Sequence, residues 1–466
     1  MHSLARRRAA SIDASAFALE DGSRVAVIGG GPSGSLFAFF LLGFAQMLDL
    51  DLRVDVYEPR DFSAIGPGGC NMCAGIVSES LVQMLAIEGI DLPSSVVQRG
   101  IDAYVVHTNR GQIRLATPTQ EQRVATVHRG GGPRDADGSR WGGLDGYLLT
   151  LAAERGASLV RRRVKEVGWW DGRPGIVADG KAEIYDLLVG ATGVNSGAWQ
   201  LFEALGLPSA RPQTVHAYVT EVRADAEAIE RQFGSSMHLF LLDIPRLDFA
   251  AIVPKGDFFT VCLLGREIDR ALVDAFFGHV TVRRAFPAGL AVGPGQCHCG
   301  PKINVREASL PFTDRLVLIG DCGVTRLYKD GLGAAYRTAK AAASTAAFHG
   351  ASGEDFRRHY LPVYRSLARD NRCGVGLFAL VHRTRRLGWL HEAGLAAAAR
   401  EADGPATRRA SSILWDMFTG SAPYRDIALR AADPRAGLQV GREVACTVGR
   451  NTTRTLGLGY GLSRSR

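Results

Sequence analysis

The stretch SRVAVIGGGPSGS, residues Ser23–Ser35, decides the fold class. A short run of small and β-branched residues leads into a turn with the spacing Gly29-x-Gly31-x-x-Gly34, and the apolar run Leu36–Leu48 follows it. In a dinucleotide-binding unit the first glycine permits the turn and the second admits the pyrophosphate, while the third lets helix pack on strand. The N–H groups at the start of the helix would then face the phosphates. We therefore predict an α/β fold with a Rossmann-like domain.

A second strand supports this prediction. The sequence LRVDVYEP, residues Leu52–Pro59, contains Glu58, which lies 24 residues after Gly34. An acid at this distance can accept a hydrogen bond from a ribose hydroxyl. Without that acid the motif would be weak, because an ordinary strand–turn–helix shows the same glycines by chance.

Two later motifs, followed by a helix, favour FAD over a nicotinamide nucleotide. LLVGATGVNS, residues Leu187–Ser196, is a buried strand that ends in a small-residue turn. RLVLIGDCG, residues Arg315–Gly323, ends in an aspartate that could bind a ribityl hydroxyl. DGLGAAYRTAKAAA, residues Asp330–Ala343, is typical of a helix whose N-terminus could face the flavin and stabilise negative charge on it. No second fingerprint with the same strand and helix context follows.

In this order, the motifs resemble the FAD-dependent oxidoreductases of the para-hydroxybenzoate hydroxylase type, and most closely the geranylgeranyl reductase family. Three further segments carry the match: GGCNMCAGIVSESL from Gly68, GGLDGYLLTLAAERGASLV from Gly142 and IVPKGDFFTVCLLG from Ile252. The family arginine that precedes the Leu-Asp pair is displaced, so that Arg129 and Arg140 are both candidates. The chain after Gly350 matches no known pattern.

The resemblance implies a Rossmann-like FAD-binding domain with an inserted antiparallel β-sheet substrate domain and a helical C-terminal region. We expect a tail at 1–23, an FAD-binding domain at 24–100, 130–200 and 300–350, a substrate domain at 101–129 and 201–299, a helical cap at 351–450 and a tail at 451–466. The resemblance places the cofactor against Gly29, Gly31, Ser33, Gly34, Glu58, Arg129, Val164, Gly193, Asp321, Gly331 and Gly333.

The function implied by the resemblance is reduction of a carbon–carbon double bond in an isoprenoid or other lipid-like substrate, by hydride transfer from flavin N5. NAD(P)H is a candidate electron donor. Two alternatives stay open: a flavin-dependent monooxygenase of the same fold, and a flavin electron-transfer protein that docks to a membrane or partner.

The loop TRLYKDGLG, residues Thr325–Gly333, is dense in polar groups. In this fold Tyr328 or Lys329 could donate a proton to the substrate, and Arg326 could hold a phosphate or carboxylate. The competing interpretation is a solvated loop with a cation near the cofactor phosphates.

Cys70 and Cys73 complete the candidate catalytic set, and four interpretations of them stay open. They could line the substrate pocket, form a redox dithiol with the flavin, join Cys297 and Cys299 in a zinc or iron–sulfur site, or pack as small apolar side chains. We favour the pocket and expect no metal site.

Charge is concentrated in the last quarter of the chain. Residues 351–466 hold 19 arginines, no lysine and 10 acids, which gives this segment a net charge of +9. The whole protein carries +8, so the rest of the chain is close to neutral. This positive excess indicates binding to an anionic surface such as a membrane. The alternative explanation is the amino-acid usage of a GC-rich genome. The stretch Val375–Arg400 suits a helix in a membrane interface, although a core helix with a solvated end is favoured.

The remaining features favour a cytoplasmic protein. The apolar run Leu36–Leu48 is too short to span a bilayer, and no apolar stretch follows the basic N-terminus MHSLARRRAA as in a signal peptide. We expect a small-molecule, isoprenoid or lipid partner and no nucleic acid, with peripheral contact at the inner face of the membrane as an open alternative.

Overall fold

The computed structural model describes residues 17–66, 73–109, 111–117, 121–133, 142–178, 180–290, 292–293, 297–386, 397–398, 400–401 and 410–435. Cys70 and Arg140, both named above, lie outside these residues. The predicted α/β class is confirmed, because the described chain contains one mainly parallel sheet covered by helices and separate antiparallel sheets.

The mainly parallel sheet is the Rossmann-like one. Its strand order is β19-β20-β12-β1-β2-β8, and only β19 runs antiparallel to its neighbour. The strands are β1 (Arg24–Ile28), β2 (Arg53–Tyr57), β8 (Ser158–Val160), β12 (Leu187–Gly190), β19 (Phe312–Thr313) and β20 (Leu316–Leu318). Their near-continuous apolar runs fit strands that are buried on both faces.

Three helices cover one face of this sheet: α1 (Pro32–Met47), α3 (Leu144–Glu154) and α8 (Gly331–Phe348). The apolar run predicted as a buried helix is α1, and its residues Leu36–Leu41 are all buried. Phe40 of α1 contacts Tyr336 of α8 edge to face, with ring centroids 5.4 Å apart. Among the described helices, none combines the length and hydropathy needed to cross a membrane.

The second large sheet forms the body of the predicted substrate domain. Its order is β17-β13-β16-β15-β14-β5-β6, with β18 paired to β13. The strands are β5 (Ala103–His107), β6 (Gln112–Ala116), β13 (Gln213–Arg223), β14 (Ser236–Phe240), β15 (Leu247–Lys255), β16 (Phe258–Gly265), β17 (His298–Cys299) and β18 (Lys302–Arg306).

This sheet differs from the prediction at one pair, because β5 and β14 are parallel. The chain leaves for the Rossmann-like sheet between these two strands, and a parallel pair requires such a long crossover. One face of the sheet is covered by α5 (Ala226–Phe233), α6 (Arg270–Gly278) and α7 (Val280–Ala285).

Smaller elements connect the two large sheets. β3 (Ile76–Val77), β4 (Val97–Ile101) and β7 (Val124–Val127) form a sheet between them, where Thr126 Oγ1 donates to the carbonyl of Pro254 in β15 at 2.9 Å. The other small elements are α2 (Glu79–Ile87), α4 (Trp199–Ala204) and the antiparallel strands β9 (Val167–Trp170), β10 (Arg173–Ala178) and β11 (Lys181–Ile184).

The C-terminal region is helical. After α8 the chain makes a turn at Gly353–Asp355, capped by Ser352, and a π-helical turn at Phe356–Tyr360. Three helices follow: α9 (Leu361–Arg386), α10 (Ala410–Thr419) and α11 (Tyr424–Ala431). α9 and α10 contribute side chains to the face of the eight-stranded sheet that α5–α7 leave uncovered.

Candidate functional site

The three glycines of the turn after β1 have two different environments. A Cβ on Gly29 would lie 2.5 Å from the carbonyl oxygen of Ala191, and a Cβ on Gly34 only 1.9 Å from the carbonyl oxygen of Gly29. Gly29 also has a φ of +107°, which favours glycine. A Cβ on Gly31, by contrast, would meet only Arg129 Nη2, at 3.9 Å. Gly29 and Gly34 therefore allow close packing, whereas Gly31 borders open space.

The start of α1 offers backbone N–H groups to that space. Gly31 is the N-cap residue and Pro32 the first helical residue, and no side chain caps this helix N-terminus. Unpaired N–H groups and the positive end of the helix dipole together form an anion site. The geometry fits the pyrophosphate of a dinucleotide.

Glu58 lies at the end of β2, beside the glycine turn. Its Oε2 accepts from the N–H of Gly30 at 3.0 Å, and its Oε1 accepts from the backbone N–H and Nε of Arg60 at 3.0 and 3.1 Å. The carboxylate is thereby held in one orientation, and a carboxylate can accept more than these three hydrogen bonds. It can still bind a ribose hydroxyl.

Arg129 supplies the positive charge next to the turn. Its guanidinium forms a bidentate pair with Asp145 of α3, with Nε–Oδ1 at 2.9 Å and Nη2–Oδ2 at 2.7 Å. Asp145 is fully buried, so Arg129 is in contact with the Leu-Asp pair of the sequence, whereas the other candidate, Arg140, lies outside the described residues. Such a fork–fork pair fixes the guanidinium plane beside Gly31.

The second flavin motif meets the first at the N-terminus of α1. A Cβ on Gly320 would lie 2.2 Å from Ser33 Oγ, so the turn Gly320–Cys322 passes directly over the helix start. The side chain of Asp321 is close enough to Arg129 to interact with its charge. Burial raises the pKa of Asp321, and hydrogen bonding to Thr325 and the charge of Arg129 oppose that rise.

Two further predicted cofactor residues lie at the edges of this site. Gly193 follows β12 with open space around its Cβ position, and Val164 packs in a half-buried position against the opposite face of the Rossmann-like sheet. Neither makes a contact that assigns it a specific role.

The N-terminus of α8 was expected to face the flavin through Gly331 and Gly333. A Cβ on Gly333 would lie 2.3 Å from the carboxylate of Asp330, so that carboxylate covers the first turn of the helix. Asp330 accepts from Ser78 Oγ at 2.6 Å and from Arg326 Nη1 at 2.7 Å. The acid and its arginine partner therefore neutralise each other at this helix end.

The loop before α8 is tied to the C-terminal helices. Arg326 also donates to the carbonyls of Gly420 and Ala422, each at 2.9 Å, and Lys329 Nζ donates to the carbonyls of Asp416 and Ala422 at 2.8 and 3.1 Å. These contacts favour a structural role for both cations over the substrate-binding and proton-donating roles considered above.

Tyr328 has a different position in the same loop. Its ring contacts Phe249 of β15 and Phe378 of α9, and its hydroxyl lies 3.5 Å from Asp248 Oδ2. Burial, reinforced by the charge of Asp248, raises the pKa of Tyr328 to about 12. The hydroxyl is therefore protonated at neutral pH and donates to Asp248, while the ring packs among the aromatic side chains.

Cys73 is half-buried, and its backbone carbonyl contacts a buried ion pair. Lys255 Nζ donates to the carbonyl of Cys73 at 3.2 Å and to Glu221 Oε1 at 3.1 Å. Thr260 Oγ1 donates to the same carboxylate oxygen at 3.0 Å. The side chains of Lys255 and Glu221 are only 1% and 3% exposed, so the pair has little contact with solvent.

An aromatic layer borders Cys73 on the face of the eight-stranded sheet that packs against α9 and α10. Phe249 stacks parallel to Phe378 at 6.1 Å, and Tyr104 meets Trp415 of α10 edge to face at 5.1 Å. Ala74 and Ile76, directly after Cys73, pack in the same cluster. These side chains pack against one another and form one apolar cluster next to Cys73.

The cysteine alternatives are only partly addressed. In the described part of the chain, no group of three or more histidine, cysteine, aspartate or glutamate side chains is arranged to hold a metal ion. Cys73, Cys297 and Cys299 are half-buried free thiols in the structure, and Cys70 lies outside the described residues. The redox and pocket interpretations stay predictions.

Sequence reasoning missed several residues that shape the site. Asp145, Lys255 and Glu221 were not assigned roles, although Asp145 and Lys255 lie in motifs that carried the family resemblance. Asn371 of α9 was also missed, and it holds the loop before α8 by accepting from Leu327 N–H at 2.9 Å and donating to the Thr325 carbonyl at 2.7 Å. No local sequence signal marks Glu221 or Asn371.

Comparison with known proteins identifies the fold. No family profile and no curated protein matches the chain. Among solved structures, a geranylgeranyl bacteriochlorophyll reductase-like protein from Thermoplasma acidophilum is similar with a TM-score of 0.62, 15% identity and coverage of 92% of this chain and 100% of that one.

Two flavin-dependent enzymes are also similar. The flavin-dependent halogenase CmlS has a TM-score of 0.57 and 16% identity over 90% of this chain and 78% of its own. A variant of halogenase PltM in complex with FAD has a TM-score of 0.55 and 12% identity over 89% and 87%. The predicted fold, that of FAD-dependent oxidoreductases of the reductase and hydroxylase type, is therefore confirmed.

Proposed function

We propose that this protein is an FAD-dependent oxidoreductase that reduces a carbon–carbon double bond of an isoprenoid or similar lipid-like substrate. The observation that carries the proposal is the convergence of Gly31, Arg129 and Asp321 at an uncapped helix N-terminus, close to Cys73, the residue that leads into the aromatic layer. When bound, FAD supplies two-electron hydride chemistry.

The residues that would hold FAD have separate tasks. The N–H groups at the start of α1 and the guanidinium of Arg129 would bind the pyrophosphate, Glu58 the ribose and Asp321 the ribityl chain. Asp145 keeps Arg129 in place, and Gly31 leaves the space that the phosphates need.

Saturation of a double bond needs a hydride on one carbon and a proton on the other. Tyr328 is our first candidate for the proton donor, because its ring lies in the aromatic layer and its hydroxyl, which donates to Asp248, carries a proton at neutral pH. Cys73 is the second, because Lys255 anchors its backbone beside the same layer. Exclusion of water by the surrounding phenylalanines would strengthen either donor's interaction with the substrate.

The fold also supports a second candidate function. Similar solved structures include the flavin-dependent halogenase CmlS and a variant of a 2-methyl-3-hydroxypyridine-5-carboxylic acid oxygenase. A monooxygenase would need the same cofactor site and the same dry layer, so the two functions are separated by reaction and not by architecture.

One set of measurements tests both. The purified protein, reconstituted with FAD and reduced anaerobically, is given a prenyl lipid, and mass spectrometry reports two added hydrogens for each saturated double bond. We expect saturation that falls strongly in Tyr328→Phe, with FAD content unchanged. Rapid oxygen uptake with substrate and no saturation would support the monooxygenase, and failure to bind FAD would overturn both functions.

Counting electrons resolves the cysteine alternatives. In an anaerobic reductive titration, uptake of two electrons per flavin would mean that Cys70 and Cys73 are pocket or packing residues. Uptake of four would mean that a disulfide works beside the flavin, and the search for a substrate would turn to thiol chemistry. NAD(P)H is proposed as the electron donor. The test is the rate at which added NAD(P)H reduces the flavin, followed as loss of the flavin absorbance.

A further inference from the structure

The outer face of α9 presents a group of exposed arginines. Arg365, Arg369 and Arg372 are exposed and follow one another at helical spacing. Across the described chain, no carboxylate forms an ion pair with any of the three. With Arg357, Leu361 and Pro362 they line a groove of about 340 Å³. The only acid of α9, Asp370, is half-buried and accepts from the backbone N–H of Arg425 at 2.9 Å.

Large apolar side chains continue the same face. Val375 and Leu380, one to two turns after Arg372, are 54% and 55% exposed. We call Arg365, Arg369, Arg372, Val375 and Leu380 the α9 docking face. A helix that exposes cations and large apolar side chains together fits the interface of a bilayer, where arginines bind anionic headgroups and apolar groups insert. A free polyanion would engage the arginines but would gain nothing from Val375 and Leu380.

The inner face of α9 connects this surface to the candidate site. Asn371 holds the backbone of the loop before α8, and Phe378 stacks on Phe249 in the aromatic layer. A Cβ on Gly374 would lie 2.7 Å from Tyr424, so α9 and α11 are in close contact. One helix therefore forms both the docking face and a wall of the proposed substrate layer.

We propose that the α9 docking face binds an anionic lipid bilayer and places the aromatic layer close to membrane-borne substrate. The inference goes beyond the proposed function, because docking needs no flavin chemistry. It is measured as vesicle binding without turnover, so failure of docking and failure of the oxidoreductase proposal are distinguishable.

Co-sedimentation of the full-length FAD-loaded protein with vesicles provides the test. We expect binding to phosphatidylglycerol vesicles and much weaker binding to phosphatidylcholine vesicles. The triple variant R365Q/R369Q/R372Q should lower the affinity about a hundredfold, since each arginine near an anionic surface contributes about a fivefold factor. The control R283Q/R284Q/R306Q removes equal charge from exposed positions elsewhere and should change binding less than about fivefold.

A second variant separates a bilayer from a polyanion. V375S/L380S should abolish the binding that survives at high salt while keeping the salt-sensitive part. Far-ultraviolet circular dichroism and bound FAD verify that each variant is folded. The proposal is overturned if the wild-type protein does not bind anionic vesicles, or if the two triple variants bind them equally. It is also overturned if V375S/L380S binds vesicles like wild type and a single-stranded RNA displaces both proteins from the vesicles.

Discussion

The glycines in the turn after β1 differ in what an added methyl group would meet. At Gly34 it would enter the volume of the Gly29 carbonyl, and at Gly31 it would enter space that the protein leaves open. The same residue type in one short motif thus serves packing at one position and ligand approach at another, because only the surroundings of each Cβ position differ.

Alanine substitutions at these two positions should therefore affect different properties, the stability of the protein at Gly34 and the affinity for FAD at Gly31. Gly34→Ala should lower the free energy of unfolding by about 3 kcal/mol, since backbone atoms must move apart. Gly31→Ala should fold normally but weaken FAD binding by about tenfold or more, a loss of about 1.4 kcal/mol. Urea unfolding of the apoprotein and a fluorescence titration with FAD measure the two effects. Equal stability of the two variants would contradict the assignment.

At the buried pair of Lys255 and Glu221, a charge that is left without its partner has a high energetic cost. Lys255→Met would leave Glu221 as a buried unpaired carboxylate and should lower the free energy of unfolding by about 3–5 kcal/mol. The double variant K255M/E221L should regain a substantial part of that loss, because no charge remains buried. A double-mutant cycle by urea unfolding measures this coupling.

An exposed ion pair provides the control for that cycle. Arg231 and Glu227 are 71% and 85% exposed, and Arg231→Ala should change stability by less than about 0.5 kcal/mol. Additive losses for K255M and E221L would show that the two side chains are not coupled.

At the scale of elements, the C-terminal helices stabilise a strained loop. Tyr328 and Asp330 have φ values of +57° and +50°, and such a left-handed conformation costs non-glycine residues roughly 1–3 kcal/mol each. Asn371 of α9 and the hydroxyl of Tyr424 of α11 hydrogen-bond to the backbone of this loop. The cap therefore maintains a backbone conformation on which the proposed proton donor depends.

Lys329 makes the stability of the protein depend on pH. Burial, and then the charge of Arg326, lower the pKa of Lys329 from 10.5 to about 7. Between these values the unfolded chain binds more protons than the folded one, so this lysine makes the free energy of unfolding rise as the pH increases from about 7 to 10. Urea unfolding at several pH values should show that rise in wild type and a smaller one in Lys329→Met.

Lys181→Met is the matched control, because Lys181 is exposed. It should keep the wild-type dependence of stability on pH. An unchanged slope in Lys329→Met would mean that the lysine is not buried in the folded protein as the structure shows.

At the scale of the whole molecule, the proposed cofactor would connect segments that are distant in the chain. The glycine turn, Arg129 and Asp321 surround one site although they lie in separate parts of the sequence. A ligand that binds only the folded state stabilises all of them together.

FAD should therefore raise the stability of the apoprotein. At a free concentration one hundred times its dissociation constant, the expected gain is about 2.7 kcal/mol in the free energy of unfolding. Thermal unfolding at increasing FAD concentrations measures the shift, and Gly31→Ala should need a higher concentration for the same gain. A melting temperature independent of FAD would contradict the cofactor assignment.

The sequence determined the features that depend on neighbouring residues. The glycine turn, α1, the acid after β2 and the strand before Asp321 are local patterns, because the period of apolar residues and the need for glycine act within one element. This is why the Rossmann-like sheet, the buried helix and the positions of Gly29, Gly31 and Gly34 could be predicted.

Which distant residues meet depends on how whole elements pack, and the sequence pattern alone does not show it. Lys255 is 182 positions from Cys73, and Asn371 is 46 positions from Thr325, so no local pattern could pair them. In the structure, Arg326 and Lys329 donate to backbone carbonyls of the C-terminal region, which the sequence did not predict. The strands β5 and β14 are parallel, whereas an antiparallel sheet was predicted. Such contacts are set by how whole elements pack, since a buried donor or charge takes the partner that the fold brings within reach.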